Sequence, residues 1–386
     1  MKLRVGFLTT HPIQYQVPVF RHLAQEIELD FTVYFCQIPD AKMQGAEFNV
    51  PFQWDLPLLD GYAYQVLKNV SRNPGVMHFR GCDTPEIASV IRGGHFDAFV
   101  INGWNVKSCL QALWTCKWAG VPCLVRGEAN DLRPRAWWKR ILQRILVQQY
   151  AGCLAIGQAN ADFYRARGVP DSRLFSAPYC VENDRFATAT DSGRSEAARQ
   201  RWNIPSDCVC YLFSGKLIDK KHPLELLQAF RDAQLADHAT LLIVGDGPLR
   251  SRCESFVREH NLNVRFAGFL NQTEMLDAYA ACDCLVLPSD AGETWGLVVN
   301  EAMAAGKPAI ISDLVGCAQD LVIPGETGDI FSFGNWSELT RLLQHYSTRR
   351  DELQQFGERA RVRITKYSPQ VAANGIIEAL RSVVRS

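Results

Sequence analysis

Short apolar runs of strand length alternate with helix-like segments along nearly all of the 386 residues of this chain. Parallel strands in one sheet need crossover connections, which are usually helices, so the alternation predicts an α/β fold built on parallel sheets. The strands predicted in this way are 4–9, 31–36, 97–101, 122–126, 152–156 and 174–177 in the first half, and 209–214, 240–245, 264–267, 284–287, 308–312 and 329–332 in the second.

A chain of this length exceeds the roughly 250–300 residues at which a single hydrophobic core stops growing, so two domains are expected. Residues 183–207 form a polar stretch with few large apolar side chains, and we interpret them as an interdomain connection with a short helix at 194–202. Residues 1–182 and 208–367 then become two doubly wound, Rossmann-like domains that face a central cleft. The last segment, 368–386, carries apolar residues at helical spacing.

Charge and cysteine usage exclude several classes of protein. Lys and Arg total 41, as do Asp and Glu, so no net charge favours nucleic acid as a partner. The thirteen cysteines form no Cys-x2-Cys pair at zinc-site spacing, and their odd number argues against a full disulfide framework, so free thiols in a reducing cytoplasm are expected. The N-terminus reads as a strand rather than a signal peptide, and no apolar run of about 18 residues predicts a membrane span.

The stretch 292–308 carries the strongest functional signal. Two carboxylates, Glu293 and Glu301, flank an apolar run that follows the predicted strand 284–287 and ends at Gly306-Lys307-Pro308. We expect Glu293 in a strand-to-helix loop and Glu301 about two turns into the next helix. Ligands bind at such loops, and backbone N–H groups at a helix N-terminus can meet a diphosphate. The alternative is structural: a helix-start carboxylate and a solvated helix residue.

This stretch resembles, nearly residue for residue, the E-x7-E signature of the bacterial family 4 retaining glycosyltransferases, which have the GT-B fold. The resemblance implies that Glu301 binds the ribose hydroxyls of a nucleotide-sugar donor. It implies that Glu293 orients the donor sugar near the reacting carbon and stabilises an oxocarbenium-like transition state. It further implies a final helix that returns to the first domain, and donor contacts from Thr294, Trp295, Gly296 and Leu297.

Three lysines follow the strand 209–214, in the run from Gly215 to Pro223. Lys216 and Lys221 match the arginine and lysine positions of the resembled family, while His222 replaces its glycine. Positive charges there would neutralise phosphate oxygens and stabilise a departing nucleoside diphosphate. The alternative is a solvated lysine cluster on a loop.

Two further segments resemble donor contacts of the family. The glycine-rich turn Gly245-Asp246-Gly247 follows one strand, and Phe269-Leu270, implied to meet the nucleotide base, follows the next. No Asp-x-Asp signature marks a metal clamp, so we predict no metal and no cofactor, with the nucleotide diphosphate-sugar as a co-substrate.

The first domain offers candidates for the acceptor side. His11 and Gln14 lie where many relatives carry a glycine-rich loop, and they resemble a subset of bacterial relatives; packing or capping roles are equally open. Glu128 stands where many relatives have a histidine near the reaction centre. If burial raised its pKa, it could act as the base for an acceptor hydroxyl. Arg126 could equally pair with Glu128 structurally.

A basic amphipathic helix with two tryptophans is predicted at 133–146. Such a helix can dock on an anionic membrane or pack its apolar face on a sheet. Docking would suggest a lipid-linked acceptor and a position at the inner face of the membrane.

The combined features predict a cytoplasmic enzyme of polysaccharide biosynthesis, which moves a sugar to the hydroxyl of a glycan, lipid-linked or small-molecule acceptor with retention of configuration. Two alternatives stay open. One is a sugar-nucleotide epimerase or hydrolase on the same fold, and the other is a non-catalytic nucleotide-sugar-binding protein.

Overall fold

The computed structural model describes residues 2–45, 50–235 and 238–384. It divides into two compact units. The first unit comprises Met1–Met43, Pro57–Tyr179 and Ser368–Ser386. The second comprises Gln44–Leu56 and Cys180–Tyr367.

The first unit contains a seven-stranded parallel sheet with the strand order β3-β2-β1-β4-β5-β6-β7. All six strands predicted in this half are confirmed to within about two residues at each end. The sequence reading missed β3, because all four of its residues are exposed and it lacks a continuous apolar run. The strands are β1 Leu3–Thr9, β2 Leu29–Phe35, β3 Ala63–Val66, β4 Ala98–Asn102, β5 Cys123–Arg126, β6 Gly152–Ala155 and β7 Leu174–Ser176.

Seven helices accompany this sheet along the described chain. They are α1 Val17–Gln25, α2 Ala41–Gly45, α3 Ile87–Gly93, α4 Lys107–Ala119, α5 Trp137–Val147, α6 Gln158–Ala166 and α16 Pro369–Val384, with α2 lying across the change from one unit to the other. The last helix, α16, packs against α1 and β7 of the first unit. A Cβ on Gly375 would lie 1.7 Å from the carbonyl oxygen of Ser176, so only glycine permits this close approach.

The second unit contains a six-stranded parallel sheet with the order β10-β9-β8-β11-β12-β13. All six predicted strands are confirmed, and four of them, β8, β9, β11 and β12, are buried along their whole length. They are β8 Val209–Ser214, β9 Ala239–Val244, β10 Val264–Gly268, β11 Cys284–Leu287, β12 Ala309–Ser312 and β13 Gly328–Phe331. The helices are α7 Asn183–Ala187, α8 Ser192–Arg201, α9 Pro223–Asp232, α10 Arg250–Glu259, α11 Gln272–Ala281, α12 Leu297–Ala304, α13 Ala318–Leu321, α14 Trp336–Tyr346 and α15 Arg350–Ile364.

Two segments differ from the predicted domain plan. Residues 183–207, predicted as the interdomain connection, cluster with the second unit, in which α8 packs on α11. An ion pair of 2.7 Å between Arg194 Nε and Asp277 Oδ1 joins these two helices. The segment Gln44–Leu56, placed by the sequence within residues 1–182, also clusters with the second unit.

All thirteen cysteines are free and buried, which confirms the predicted free thiols. Within the described ranges, no helix is both long and apolar enough to cross a bilayer.

Candidate active site

The predicted residues of the second unit lie on loops that follow the carboxyl ends of β8 to β12. Parallel strands place these ends at one edge of the sheet. Backbone hydrogen bonds tie neighbouring loops together, since Gly245 N donates to Gly268 O at 2.8 Å and Leu217 N donates to Asp246 O at 2.9 Å. Asp290 N also donates to Lys220 O at 3.0 Å. We call this set of residues the loop cluster: 215–222, 245–249, 268–271, 288–296 and 313–317.

Glycines allow the loops after β8 and β9 to touch. Gly245 has φ +126°, and a Cβ there would lie 2.0 Å from the carbonyl oxygen of Gly215. Gly247 has φ +154°, and its Cβ would lie 2.6 Å from Leu217 O. A side chain at either position would separate the two loops.

Lys221 and Glu293 form an ion pair between Lys221 Nζ and Glu293 Oε2, which joins the loops after β8 and β11. Their side chains are only 11% and 15% exposed. The sequence motifs containing these residues are about 70 positions apart, yet the fold brings them into direct contact. The alternative of a solvated lysine cluster therefore does not apply to Lys221.

The pKa of Glu293 lies below its ordinary value. Burial alone would raise it, but the neighbouring Lys221, together with Lys220 and Lys216, outweighs the effect of burial. Glu293 is therefore an anion at neutral pH, in a positive environment. Lys220 is exposed, and its Nζ donates to Gly292 O at 3.3 Å.

Helix α12 begins at Leu297, four residues after Glu293 in the chain. Gly296 is the N-cap residue at φ +100° and provides no side-chain cap. The indole of Trp295 is 3% exposed and donates from Nε1 to Asn300 Oδ1 at 2.8 Å. Any contact from Trp295 to a ligand would consequently use its backbone, as would a contact from Gly296. Thr294 and Leu297 are partly exposed on either side.

Glu301 lies in the second turn of α12 and is 1% exposed. Its Oε2 accepts a hydrogen bond of 2.5 Å from Tyr279 Oη on α11. The alternative of a solvated helix glutamate is therefore wrong. Tyr279 is a residue that the sequence reading missed, because it lies outside the motif and only the folded chain brings its hydroxyl to the carboxylate.

The segment predicted to meet a base follows β10. Leu270 is buried, while Phe269 is partly exposed and its ring centroid lies 4.4 Å from that of Phe52. The carboxylate of Asp246 accepts hydrogen bonds from Gly247 N at 2.7 Å and from Arg250 Nη1 at 2.5 Å. These internal bonds hold the glycine-rich turn.

His222 has φ +50°, a left-handed conformation that glycine adopts readily. The resembled family has a glycine at this position. The His222 ring lies 3.3 Å from Glu225 Oε1 and 3.8 Å from Asp290 Oδ2. The nearby carboxylate of Glu225 raises the pKa of His222, with a smaller contribution from Asp290, against the opposing effect of burial.

In the first unit, Arg126 and Glu128 both contact Tyr179. The Tyr179 hydroxyl donates to Glu128 Oε1. The Arg126 guanidinium lies 4.6 Å from the centroid of the Tyr179 ring, and its Nη2 donates to the carbonyl oxygens of Ala177 and Pro178 at 3.3 Å each. Arg126 is buried, whereas Glu128 is exposed, so the burial on which the predicted base role of Glu128 depended is not present.

His11 and Gln14 follow β1 and are partly exposed. His11 Nδ1 lies 2.9 Å from Thr10 Oγ1. Burial lowers the pKa of His11 to about 4, so its imidazole is neutral at physiological pH.

Among the residues that the structure describes, no cluster of three or more His, Cys, Asp or Glu side chains could hold a metal ion.

Part of the chain matches a known protein family. Residues 194–363, all within the second unit, match the family model described as glycosyl transferases group 1. This part of the chain is therefore similar to the group 1 glycosyl transferases. One relative is a GDP-mannose-dependent alpha-mannosyltransferase of Mycobacterium tuberculosis, 32% identical over 202 residues, which are 52% of this chain and 48% of that protein.

Another relative is a lipopolysaccharide 1,2-N-acetylglucosaminetransferase of Salmonella typhimurium, 32% identical over 170 residues, or 41% of this chain and 44% of that protein. The chain thus spans about half the length of the curated relatives it matches.

Solved structures resemble the whole chain. Anabaena Alr3699/HepE in complex with UDP and glucose has a TM-score of 0.75 at 18% identity, covering 98% of this chain and 100% of that one. A glycosyltransferase from Rickettsia africae ESF-5 has a TM-score of 0.76 at 14% identity, covering 100% and 99%. With the two parallel sheets, these similarities confirm the predicted α/β GT-B fold.

Proposed function

We propose that this protein is a family 4 glycosyltransferase that moves a sugar from a nucleotide diphosphate-sugar to an acceptor hydroxyl with retention of configuration. The observation that carries the proposal is the buried contact between Lys221 and Glu293 at the start of α12. It places a cation and an anion together where the resemblance implies that the diphosphate and the sugar meet.

In this proposal, Lys221 and Lys216, with the N–H groups of the first turn of α12, stabilise the negative charge on the departing nucleoside diphosphate. The ionised Glu293 orients the sugar and stabilises positive charge at its anomeric carbon. The bond from that carbon to the diphosphate breaks and a bond to the acceptor oxygen forms. The acceptor proton passes to a base.

Glu301 and Phe269-Leu270 would hold the ribose and the base of the donor. A nucleotide-sugar donor is supported by the comparisons, since one relative is GDP-mannose-dependent and one structural neighbour is a complex with UDP and glucose. The proposed reaction needs no metal ion. The acceptor-side roles of His11 and Gln14 rest on the resemblance, whereas those of Arg126 and Glu128 concern a position at which this chain departs from the resembled family.

The test is nucleoside diphosphate release from UDP-, GDP- and ADP-sugars, with and without alkyl glycoside acceptors and with EDTA. We expect one donor to be consumed only when an acceptor is present, with EDTA without effect. NMR of the product should show the anomeric configuration of the donor. Glu293→Gln and Lys221→Met should each lower kcat by about 100-fold or more, as removal of a transition-state electrostatic partner does.

Other outcomes would identify an alternative. Donor breakdown without acceptor, together with an isomerised sugar, indicates the epimerase or hydrolase. Donor binding without turnover, unchanged in Glu293→Gln, indicates a non-catalytic binding protein.

We further propose that the enzyme works at the cytoplasmic face of a membrane, where it glycosylates a lipid-linked acceptor. Helix α5 carries this proposal, because Val147 is its only fully buried residue. Its apolar stripe lies exposed, with Trp137 at 74%, Leu142 at 57% and Ile145 at 57%. The alternative that this face packs on a sheet is therefore wrong.

The charges of α5 favour anionic lipid headgroups as its partner. Lys139, Arg140 and Arg144 are exposed beside the apolar stripe, and the helix contains no acidic residue. Basic residues at an anionic surface contribute about 1 kcal/mol each. The membrane is thus attracted by charge and held by the insertion of tryptophan and aliphatic side chains.

Vesicle sedimentation tests this contact. Wild type should bind phosphatidylglycerol-containing vesicles far better than neutral phosphatidylcholine vesicles. The double change Arg140→Gln and Arg144→Gln should weaken binding by roughly 30-fold, the equivalent of about 2 kcal/mol. Val362→Ser, which alters a lone apolar residue 72% exposed in the second unit, is the matched control and should bind as wild type does. Equal binding of wild type and the double variant would contradict the proposal.

A further inference from the structure

The segment 50–56 belongs to the first half of the sequence but contacts the second unit. Its flanking segments, Met1–Met43 and Pro57–Tyr179, cluster together, whereas Gln44–Leu56 clusters with Cys180–Tyr367. Residues 50–56, which we call the strap, contact the end of β10 and the start of α11.

Phe52 is the main apolar contact of the strap. It is 8% exposed, and its ring lies against Phe269 with 4.4 Å between centroids and 37° between ring planes. Trp54 packs on Phe52 edge to face, with a centroid distance of 4.8 Å. Three aromatic rings, two from the strap and one from the loop cluster, therefore form one group.

Hydrogen bonds also join the strap to the residues that follow Phe269 in the chain. Asn271 Nδ2 donates to the carbonyl oxygen of Gln53 at 2.8 Å. The carboxylate of Asp55 accepts from Thr273 N at 3.0 Å and also from the Thr273 hydroxyl. Asp55 thus caps the N-terminus of α11, where a negative charge is stabilised by the helix dipole.

These contacts enclose the short connection 268–271 between β10 and α11. Gly268 begins this connection at φ +74°, a conformation that glycine adopts readily but that does not by itself fix the following residues. Leu270 is buried, whereas Phe269 is partly exposed. The Phe52 ring lies against the Phe269 ring.

We infer that the strap positions the nucleobase-binding surface of the donor site, with Phe52 acting through Phe269 and Asp55 acting through α11. The inference rests on the proposed function, since it requires a donor with a nucleobase at 268–271. Phe52 is a positioning residue: it affects donor binding without taking part in the chemical step. A flat aromatic base is the ligand that such an aromatic surface suits.

The test measures Kd for whichever of UDP, GDP or ADP binds wild type, with kcat and KM for the matching sugar donor. Phe52→Ala should raise Kd and KM by about tenfold and leave kcat within about twofold. Phe52→Tyr keeps the ring and should restore both values. Asp55→Asn preserves the volume at the α11 cap and should raise Kd in the same direction, which keeps the test decisive if Phe52→Ala does not fold.

A matched control uses another aromatic pair of the second unit. Phe256 and His260 have ring centroids 4.4 Å apart on and just after α10, outside the strap and the loop cluster. Phe256→Ala removes a comparable ring contact and should leave Kd unchanged.

A double variant tests whether Phe52 acts through Phe269. Phe52→Ala combined with Phe269→Ala should bind no more weakly than Phe269→Ala alone, because the shared surface is already lost. Additive losses, or a lower kcat with unchanged KM, would overturn the inference. If wild type binds a nucleotide and Lys221→Ala does not, but Phe52→Ala and Asp55→Asn bind normally, the strap inference fails while the proposed function stands. If wild type binds no nucleotide, both fail.

Discussion

Lys221 and Glu293 form an ion pair within the loop cluster, and this pairing makes the stability of the protein depend on pH. The pKa of Glu293 is lower in the folded protein than in a free glutamate. A group of this kind contributes stability above its unfolded pKa of about 4.3, and the contribution is lost as the pH falls through the lower folded value.

We therefore predict that Glu293→Gln destabilises the protein at neutral pH, because it leaves Lys221 in a mostly buried position without its counterion. The expected loss is roughly 3 kcal/mol in the free energy of unfolding. Urea unfolding at about pH 7, 5 and 3.5 should show the difference from wild type shrinking below about pH 4. Glu326→Gln changes an exposed glutamate and serves as the control. A difference that stays constant with pH would contradict this interpretation.

At Glu301, the hydroxyl of Tyr279 is the contact to test. Tyr279→Phe removes a hydrogen bond of 2.5 Å to a buried carboxylate and should cost about 1–3 kcal/mol of stability. It should also weaken nucleotide binding, because Glu301 would lose a group that orients it. Tyr211→Phe is the matched control, since the buried Tyr211 hydroxyl donates to Leu343 O at 2.6 Å within the same unit.

Thermal unfolding and nucleotide titration of both tyrosine variants separate the two effects. Both should lose stability, and only Tyr279→Phe should lose affinity. Equal affinity in the two variants would mean that Tyr279 is purely structural.

At the scale of elements, the loops after β8 and β9 depend on the close approach of their backbones. Gly245→Ala would force a Cβ to within 2.0 Å of Gly215 O at φ +126°. We predict a loss of about 2–4 kcal/mol in stability, from strain and overpacking together, and loss of donor binding.

Gly334→Ala isolates the backbone strain, because Gly334 has φ +87° and a Cβ there would meet no atom within 4 Å. It should cost only about 1 kcal/mol, with normal donor binding. Equal effects of the two alanines on calorimetric unfolding and on binding would argue against the role assigned to the loop contact.

The elements also show what sequence reasoning can predict. Strands such as β8 and β11 were predictable, since they are buried on both faces and therefore continuously apolar. The edge strand β3 was not, because Tyr64 and Val66 are about 40% exposed and give no such run. The contact of Phe52 with Phe269 is long-range in sequence, and no local pattern indicates it.

At the scale of the whole molecule, the site residues of the second unit could be predicted from the sequence better than those of the first unit. The motif of the second unit placed Glu293 beside a helix start correctly, and Lys221 supplied its partner from another loop. The pairing of Tyr279 with Glu301 joins two helices through one side-chain hydrogen bond, which no local sequence pattern predicts. In the first unit, Tyr179 contacts both Arg126 and Glu128. The sequence around Arg126 and Glu128 does not predict either contact.

The central claim is that the loop cluster binds a nucleotide diphosphate-sugar, and thermal-shift binding tests it most directly. Wild type, Lys221→Ala and Glu301→Gln would be measured against UDP-, GDP- and ADP-sugars, with Lys366→Ala, an exposed lysine of the second unit, as the control. One donor class should stabilise wild type and Lys366→Ala by about 2.7 kcal/mol at a hundredfold excess over Kd. It should leave Lys221→Ala and Glu301→Gln nearly unshifted. No shift of wild type at millimolar donor, or an equal shift in all four proteins, would contradict the claim.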